Sequence, residues 1–182
     1  MNTRKEAEAA LSEFMDSDEK VVLLTGTNEY QKRVLALQTL VNQEEESTIL
    51  FRSNYTENLK VYYGAFDTTF RTGRPYRVEN HTLYIDTMKE TSWEKSPLEV
   101  NHAILYPLDH FLTLKERQRL KVIDDLMRRV SGKILLVNFA DDADYAWFSD
   151  IGERHVVYDV EEGDPPFDQK KKEFNFEYVP QK

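Results

Sequence analysis

The sequence predicts a three-layer α/β sandwich with a mainly parallel central sheet and a small β-hairpin insert. Three observations carry this reading. Short apolar runs at 21–24, 48–51, 103–106, 134–137 and 156–158 have the length and continuity of strands buried on both faces. Segments of helical spacing separate most of them, and that alternation calls for parallel strands joined by right-handed crossovers over the sheet. Gly26 ends the first run and opens a strand-to-helix turn.

Taken in order, Thr3 and Glu6 form a capping-box pair, and Ala7, Ala10, Leu11 and Phe14 follow at helical spacing. An N-terminal helix over 1–16 is expected, ending in the polar stretch 16–19. After the strand Val21, Val22, Leu23 and Leu24, a helix should carry Tyr30, Val34, Leu37 and Val41 on one face. Glu44, Glu45 and Glu46 close it in solvent, before the strand at 48–51. Tyr62, Tyr63, Phe66 and Phe70 are expected to pack, with Tyr55 beside them; stacking on a ligand is the alternative use of these rings. The turn at 71–75 lies between short strands at 76–78 and 83–85, and together these give a hairpin insert over 67–88. Thr113 and Glu116 are expected to cap a helix with Leu120, Ile123, Met127 and Val130 inward, stopped by Gly132. A short helix at 143–148 precedes the last core strand. In the tail, 163–182, the alternation Phe174, Asn175, Phe176, Glu177, Tyr178 favours an edge strand closing the chain's own sheet over a strand offered to a partner.

The 182 residues suit one domain with a substantial core. With 24 Lys and Arg against 33 Asp and Glu, the net charge is −9, which disfavours autonomous nucleic-acid binding. The absence of cysteine excludes disulfides, thiolate zinc sites, iron–sulfur clusters and cysteine nucleophiles. The first residues are charged rather than apolar, and no run has the length of a membrane span, so a cytoplasmic protein is expected.

The segment from Val21 to Arg33 resembles the phosphate-binding loop of the P-loop NTPases, G-x-x-x-x-G-K-[ST]. Gly26 takes the first glycine position and Lys32 the lysine position; Thr27 and Asn28 lie between them. Gln31 replaces the second glycine, Arg33 replaces the hydroxyl residue that would hold Mg²⁺, and Glu29 puts a negative charge in the loop. Residues 104–109 resemble the hydrophobic strand that ends in a metal-organising Asp in that group. Asp109 would be that Asp, His110 stands where hydrolytic members often keep Glu, and Pro107 should bend or end the strand. Asp86, after Leu83, Tyr84 and Ile85, is a rival, and Asn138 falls where many such ATPases sense the terminal phosphate.

As a layout, the resemblance covers about 20–160 and implies a degenerate P-loop NTPase-like fold. Its implied nucleotide site is Gly26, Thr27, Asn28, Lys32, Asp109 and Asn138. With the second glycine, the Mg²⁺-binding hydroxyl and the hydrolytic Glu replaced, the expected role is non-catalytic: a regulatory or adaptor protein acting through protein contacts, with no cofactor, no metal site and no catalytic residues. The alternatives are an atypical Mg²⁺-dependent ATPase or GTPase, in which Lys32 contacts phosphate, Asp109 organises Mg²⁺ and Asn138 positions water, and an accessory factor of a DNA-processing complex.

Outside the loop, Arg71, Arg74 and Arg77 form the most basic stretch and the candidate partner-binding surface, weighed evenly against a solvated hairpin. His81, His102, His110 and His155 are scattered and expected to be hydrogen-bonding residues rather than ligands. Asp141, Asp142 and Asp144 are expected to cap the helix near Ala143, with Mg²⁺ binding as the alternative.

Overall fold

In the computed structural model, which describes residues 2–168 and 170–180, the apolar runs become the centre of one sheet. The elements are α1 (Arg4–Asp16), β1 (Val21–Thr25), α2 (Gln31–Val41), β2 (Thr48–Ser53), a 3₁₀ turn (Thr56–Asn58) running into α3 (Leu59–Tyr62), β3 (Tyr76–Val78) and β4 (His81–Thr87). They continue as α4 (Glu90–Trp93), β5 (His102–Leu105), α5 (Leu108–Leu112), α6 (Glu116–Arg129), β6 (Ile134–Val137), a 3₁₀ turn (Ala146–Asp150), β7 (Arg154–Val157) and β8 (Glu177–Tyr178).

The strand order is β7-β1-β6-β5-β2-β4-β3-β8. The first six strands pair in parallel, while β3 is antiparallel to β4 and to β8. Side chains alternate between faces, so each central strand feeds two cores. Val22, Leu24, Ile49, Phe51, Ile104 and Leu135 pack with α1 and α2, whereas Val21, Leu23, Leu50, Leu105 and Leu136 pack with α5 and α6. This is the three-layer α/β arrangement. No helix among the described residues is long and apolar enough to cross a membrane.

The capping box of α1 forms, with Thr3 Oγ1 accepting from Glu6 N at 3.1 Å and Glu6 Oε2 accepting from Thr3 N at 3.0 Å. The hairpin over 76–85 forms as β3 and β4, and β4 pairs along its whole length with β2, so its second strand belongs to the central sheet. The tail strand closes the chain's own sheet: Phe176 is buried and β8 pairs with β3. Pro107 lies beyond the end of β5 at Leu105.

Several local expectations are corrected. Phe66 and Tyr55 are about half exposed, while Tyr63 and Phe70 are buried. Tyr30 is also exposed, because it precedes α2 as its N-cap and is not on the helix's inner face. Thr113 ends α5 instead of capping α6, whose N-cap is Lys115. The residues after β6 form a 3₁₀ turn starting at Ala146, with Tyr145 as its N-cap; Asp144 accepts from Ala146 N at 2.9 Å, and Asp141 and Asp142 are exposed.

The largest correction concerns the inner face of α6. Ile123 and Val130 pack inward as expected, but Leu120 and Met127 are exposed, and Val122, Asp125, Leu126 and Arg129 are buried in the helix. The apolar period was incomplete because this helix docks through buried charge as well as through Val122, Leu126 and Val130. Arg52 on β2 makes a bidentate pair with Asp86 at 2.8 and 2.9 Å, and its Nη2 also lies 2.8 Å from Asp125. Asp125 in turn accepts from Arg129 at 2.9 and 3.1 Å, and Trp93 stacks 4.4 Å from the Arg52 guanidinium. Burial pushes the Asp86 carboxyl up, only partly offset by Arg52. At Asp125, burial is outweighed by Arg129 and Arg52, and the carboxyl is held below its usual value.

Removing one partner from such a network strands the others in a low-dielectric interior. Arg52→Ala should therefore cost about 3–5 kcal/mol of unfolding free energy, measured by urea denaturation. Leu120→Ala on the exposed side of α6 should cost less than about 1 kcal/mol.

Candidate functional site

Strands β1, β6 and β5 are neighbours, and their carboxyl ends deliver Gly26, Asn138 and, through α5, Asp109 to one place. Ligands of open α/β sheets bind at this edge. Gly26 adopts φ +120°, and a Cβ on it would lie 2.2 Å from Tyr158 O, so only glycine lets the turn pass this close to the chain after β7. The six residues that the resemblance implied for a nucleotide, Gly26, Thr27, Asn28, Lys32, Asp109 and Asn138, are thus brought together.

Their polar groups are turned on one another. Lys32 is fully buried, and its ammonium donates to Gly26 O at 2.6 Å, to Phe139 O at 3.0 Å and to the side-chain oxygen of Asn138. An ammonium has three hydrogens, and all three are engaged. Asn138 donates from Nδ2 to Ala140 O at 2.8 Å and to the Tyr145 hydroxyl at 2.7 Å. Asp109 accepts from Phe139 N at 2.6 Å with one oxygen and from Ala140 N at 3.0 Å with the other.

Four of the loop amides are engaged in the same way. Thr27 N donates to Asp159 Oδ1 at 2.8 Å, Asn28 N to Tyr158 O at 3.1 Å, Glu29 N to Thr27 O at 2.9 Å and Gln31 N to Asn28 Oδ1 at 3.2 Å. Hydrogen bonds from Asn2 and from the Thr27 amide hold the Asp159 carboxyl below the usual carboxylate range. Sequence reasoning passed over Asp159. Its one signal was an acid directly after the last core strand, and only the pairing of β7 with β1 sets it beside the loop.

Arg33, in the Mg²⁺-hydroxyl position, points away from the loop. It is buried, donates from Nε to Tyr62 O at 2.9 Å and from Nη1 to the Tyr106 hydroxyl at 2.9 Å, and lies 5.1–5.7 Å from the ring centres of Tyr30, Tyr62, Tyr106 and Phe167. It borders a cavity of about 430 Å³ that Asn54, Asp109 and Phe139 also line.

The remaining candidates lie elsewhere. Asp86, the rival to Asp109, is spent in the Arg52 cluster. Arg71, Arg74 and Arg77 flank β3 at the far side of the sheet from β1; Arg74 stacks on Tyr178 and Arg77 faces Glu46 at 3.9 Å. His81 is buried between Ser47 and the carbonyl of Val41, His155 bonds Thr25 at 2.6 Å, and His102 accepts from Lys133 N.

No protein-family model matches the chain, and no curated protein matches it by sequence. Among solved structures it is similar to the large terminase of the thermophilic bacteriophage D6E, determined in complex with ADP. The TM-score is 0.55 at 9% identity, over 84% of this chain and 45% of that one, so the chain spans under half of the terminase's length. The two chains share the fold, a mainly parallel sheet between helices.

Two outcomes follow from the geometry. Burial pulls the Lys32 ammonium down to about 8, against the opposing pull of Asp141 and Asp109. The unfolded side chain titrates near about 10.4, so between these values the unfolded state binds more protons and this group's contribution makes the fold more stable as pH rises. NMR titration of the lysine side chains should show one amine with a midpoint near 8. Gly26→Ala should lower stability by more than about 2 kcal/mol, since it meets both positive φ and a carbonyl oxygen, as read by chemical denaturation.

Proposed function

We propose that this protein is a non-hydrolysing regulatory or adaptor protein that uses a P-loop-like fold as a rigid scaffold and acts through protein contacts. The observation that supports it is the self-occupied loop: the three hydrogens of the Lys32 ammonium and the Thr27 amide are all taken by groups of the chain itself. A nucleotide phosphate entering here would compete with the Asp159 carboxylate for the Thr27 amide and with three oxygen acceptors for the Lys32 ammonium. Arg33 adds a second barrier, since a guanidinium stands where a magnesium ligand would be needed. The partner-facing surface in this reading is the arginine-bearing hairpin, with Arg71, Arg74 and Arg77 all exposed.

The second reading, an atypical Mg²⁺-dependent NTPase, is favoured by the convergence of Lys32, Asn138 and Asp109 and by the fold shared with a protein solved with ADP. Thermal-shift titration with ATP and GTP, with and without Mg²⁺, separates the two. A ligand at a hundredfold excess over its Kd adds roughly 2.7 kcal/mol, so true binding would be plain. The adaptor reading expects no shift with either nucleotide. It also expects Lys32→Met to lower the melting temperature in the absence of nucleotide, because the lysine ties β1 to β6. A Mg²⁺-dependent shift that Lys32→Met removes would establish the NTPase reading. Neutralising Arg71, Arg74 and Arg77 together should change stability by less than about 1 kcal/mol, in keeping with a surface that serves contacts instead of folding.

A further inference from the structure

The cavity beside Arg33 holds hydrogen-bond donors for which the described residues supply no acceptor. Arg33 is 3% exposed, and among the described residues no carboxylate lies within 4.0 Å of its guanidinium. Its Nε and Nη1 have protein acceptors, and its Nη2 has none among the described residues. The Tyr106 hydroxyl accepts from Arg33, but its own hydrogen finds no acceptor there. Asn54 uses its Oδ1 to accept from Ser53, Tyr55 N and the Tyr62 hydroxyl, leaving its Nδ2 donor unclaimed. One cation and two further donors thus converge on a single open cavity, a ready-made set for an anionic acceptor.

The walls are aromatic. Tyr30 and Phe167 stack at 4.3 Å between ring centres, Phe139 meets Tyr30 edge-on at 5.6 Å, and Tyr62 and Tyr106 meet at 4.9 Å. A cavity of about 430 Å³ lies within the usual range for a small organic ligand. Asp109 also lines it. Both of its oxygens are bonded to backbone amides, but its charge favours a single negative charge on the ligand over two.

We propose that this cavity is a binding site for a small planar organic carboxylate, its carboxylate received by Arg33, Tyr106 and Asn54 and its ring held against Tyr30, Tyr62 and Phe167. The site adjoins the phosphate-loop segment, sharing Tyr30, Arg33 and Asp109 with its surroundings, but takes a different ligand class from nucleotides. It also does not depend on the adaptor reading.

Calorimetric titration of the full chain tests it with 2-naphthoate as probe, 2-naphthamide as the uncharged ring, and acetate and inorganic phosphate as ringless anions. The expected result is binding of 2-naphthoate at least tenfold tighter than any of the other three. Asn54→Asp keeps the oxygen that Ser53, Tyr55 and Tyr62 use, and removes only the free donor while adding charge. It should weaken 2-naphthoate at least tenfold with an unchanged melting temperature. Arg33→Met should abolish binding, and the Asn54 variant decides the matter if Arg33→Met does not fold. Absence of 2-naphthoate binding, equal binding of 2-naphthamide, or undiminished binding by Asn54→Asp overturns the proposal. Nucleotide titration has no bearing on these outcomes, so failure here and failure of the adaptor reading remain distinct.

Discussion

The ammonium of Lys32 is the tie on which the carboxyl edge of the sheet depends. It rises from the first turn of α2 and bonds the carbonyl of Gly26 after β1, the side chain of Asn138 and the carbonyl of Phe139 after β6. Two strands and a helix are therefore pinned at one buried charge. Carbonyl and amide oxygens replace the water that the ammonium gives up, which is the condition for keeping a lysine buried and charged. Everything around it conforms. Asp109 fixes the backbone after β6 from the other side, and Asp159 fixes the loop after β1.

That arrangement shows what a loop with the spacing of a phosphate cradle contributes to the fold. A phosphate loop works because its amides and its lysine have no better acceptor than the ligand. In this chain the acceptors are built in, and the carboxylate of Asp159 does for the Thr27 amide what a phosphate oxygen would do. The replacement of the second glycine by Gln31 and of the Mg²⁺-binding hydroxyl by Arg33 is consistent with the same shift. Arg33 turns into an aromatic enclosure and borders a cavity there.

On the opposite face, a second buried charge cluster does comparable structural work. Arg52, Asp86, Asp125 and Arg129 join β2, β4 and α6 through charge, with Trp93 stacked on the Arg52 guanidinium. Its geometry fixes the rotation of α6, turning Val122 and Leu126 to the sheet and Leu120 to solvent. The two ion-centred ties, one on each side of the sheet, set the positions of α2 and α6.

By itself the sequence determined the strands, the capping box of α1, the hairpin, the edge strand of the tail and the place of the Gly26 turn. Each of these depends on local pattern: continuous apolar runs, a Thr and Glu three apart, alternation, or a glycine where φ must be positive. It also named the residues that meet at the carboxyl edge, because Lys32, Asp109 and Asn138 each stand at a fixed offset from a strand end. Tertiary structure alone decided what those residues do. Whether Lys32 faces a ligand or a carbonyl depends on which strand lies next to β1, and the order β7-β1-β6 puts Asp159 on one side of the loop and Asn138 on the other. The inner face of α6 was illegible for the same reason. An aspartate and an arginine count as solvent-facing in any periodicity, and only the partner Arg52, more than seventy positions earlier in the chain, makes their burial favourable. Hydrophobic patterning is written along the chain, whereas the satisfaction of a buried charge is settled between strands, and so the fold was readable where the chemistry of its site was not.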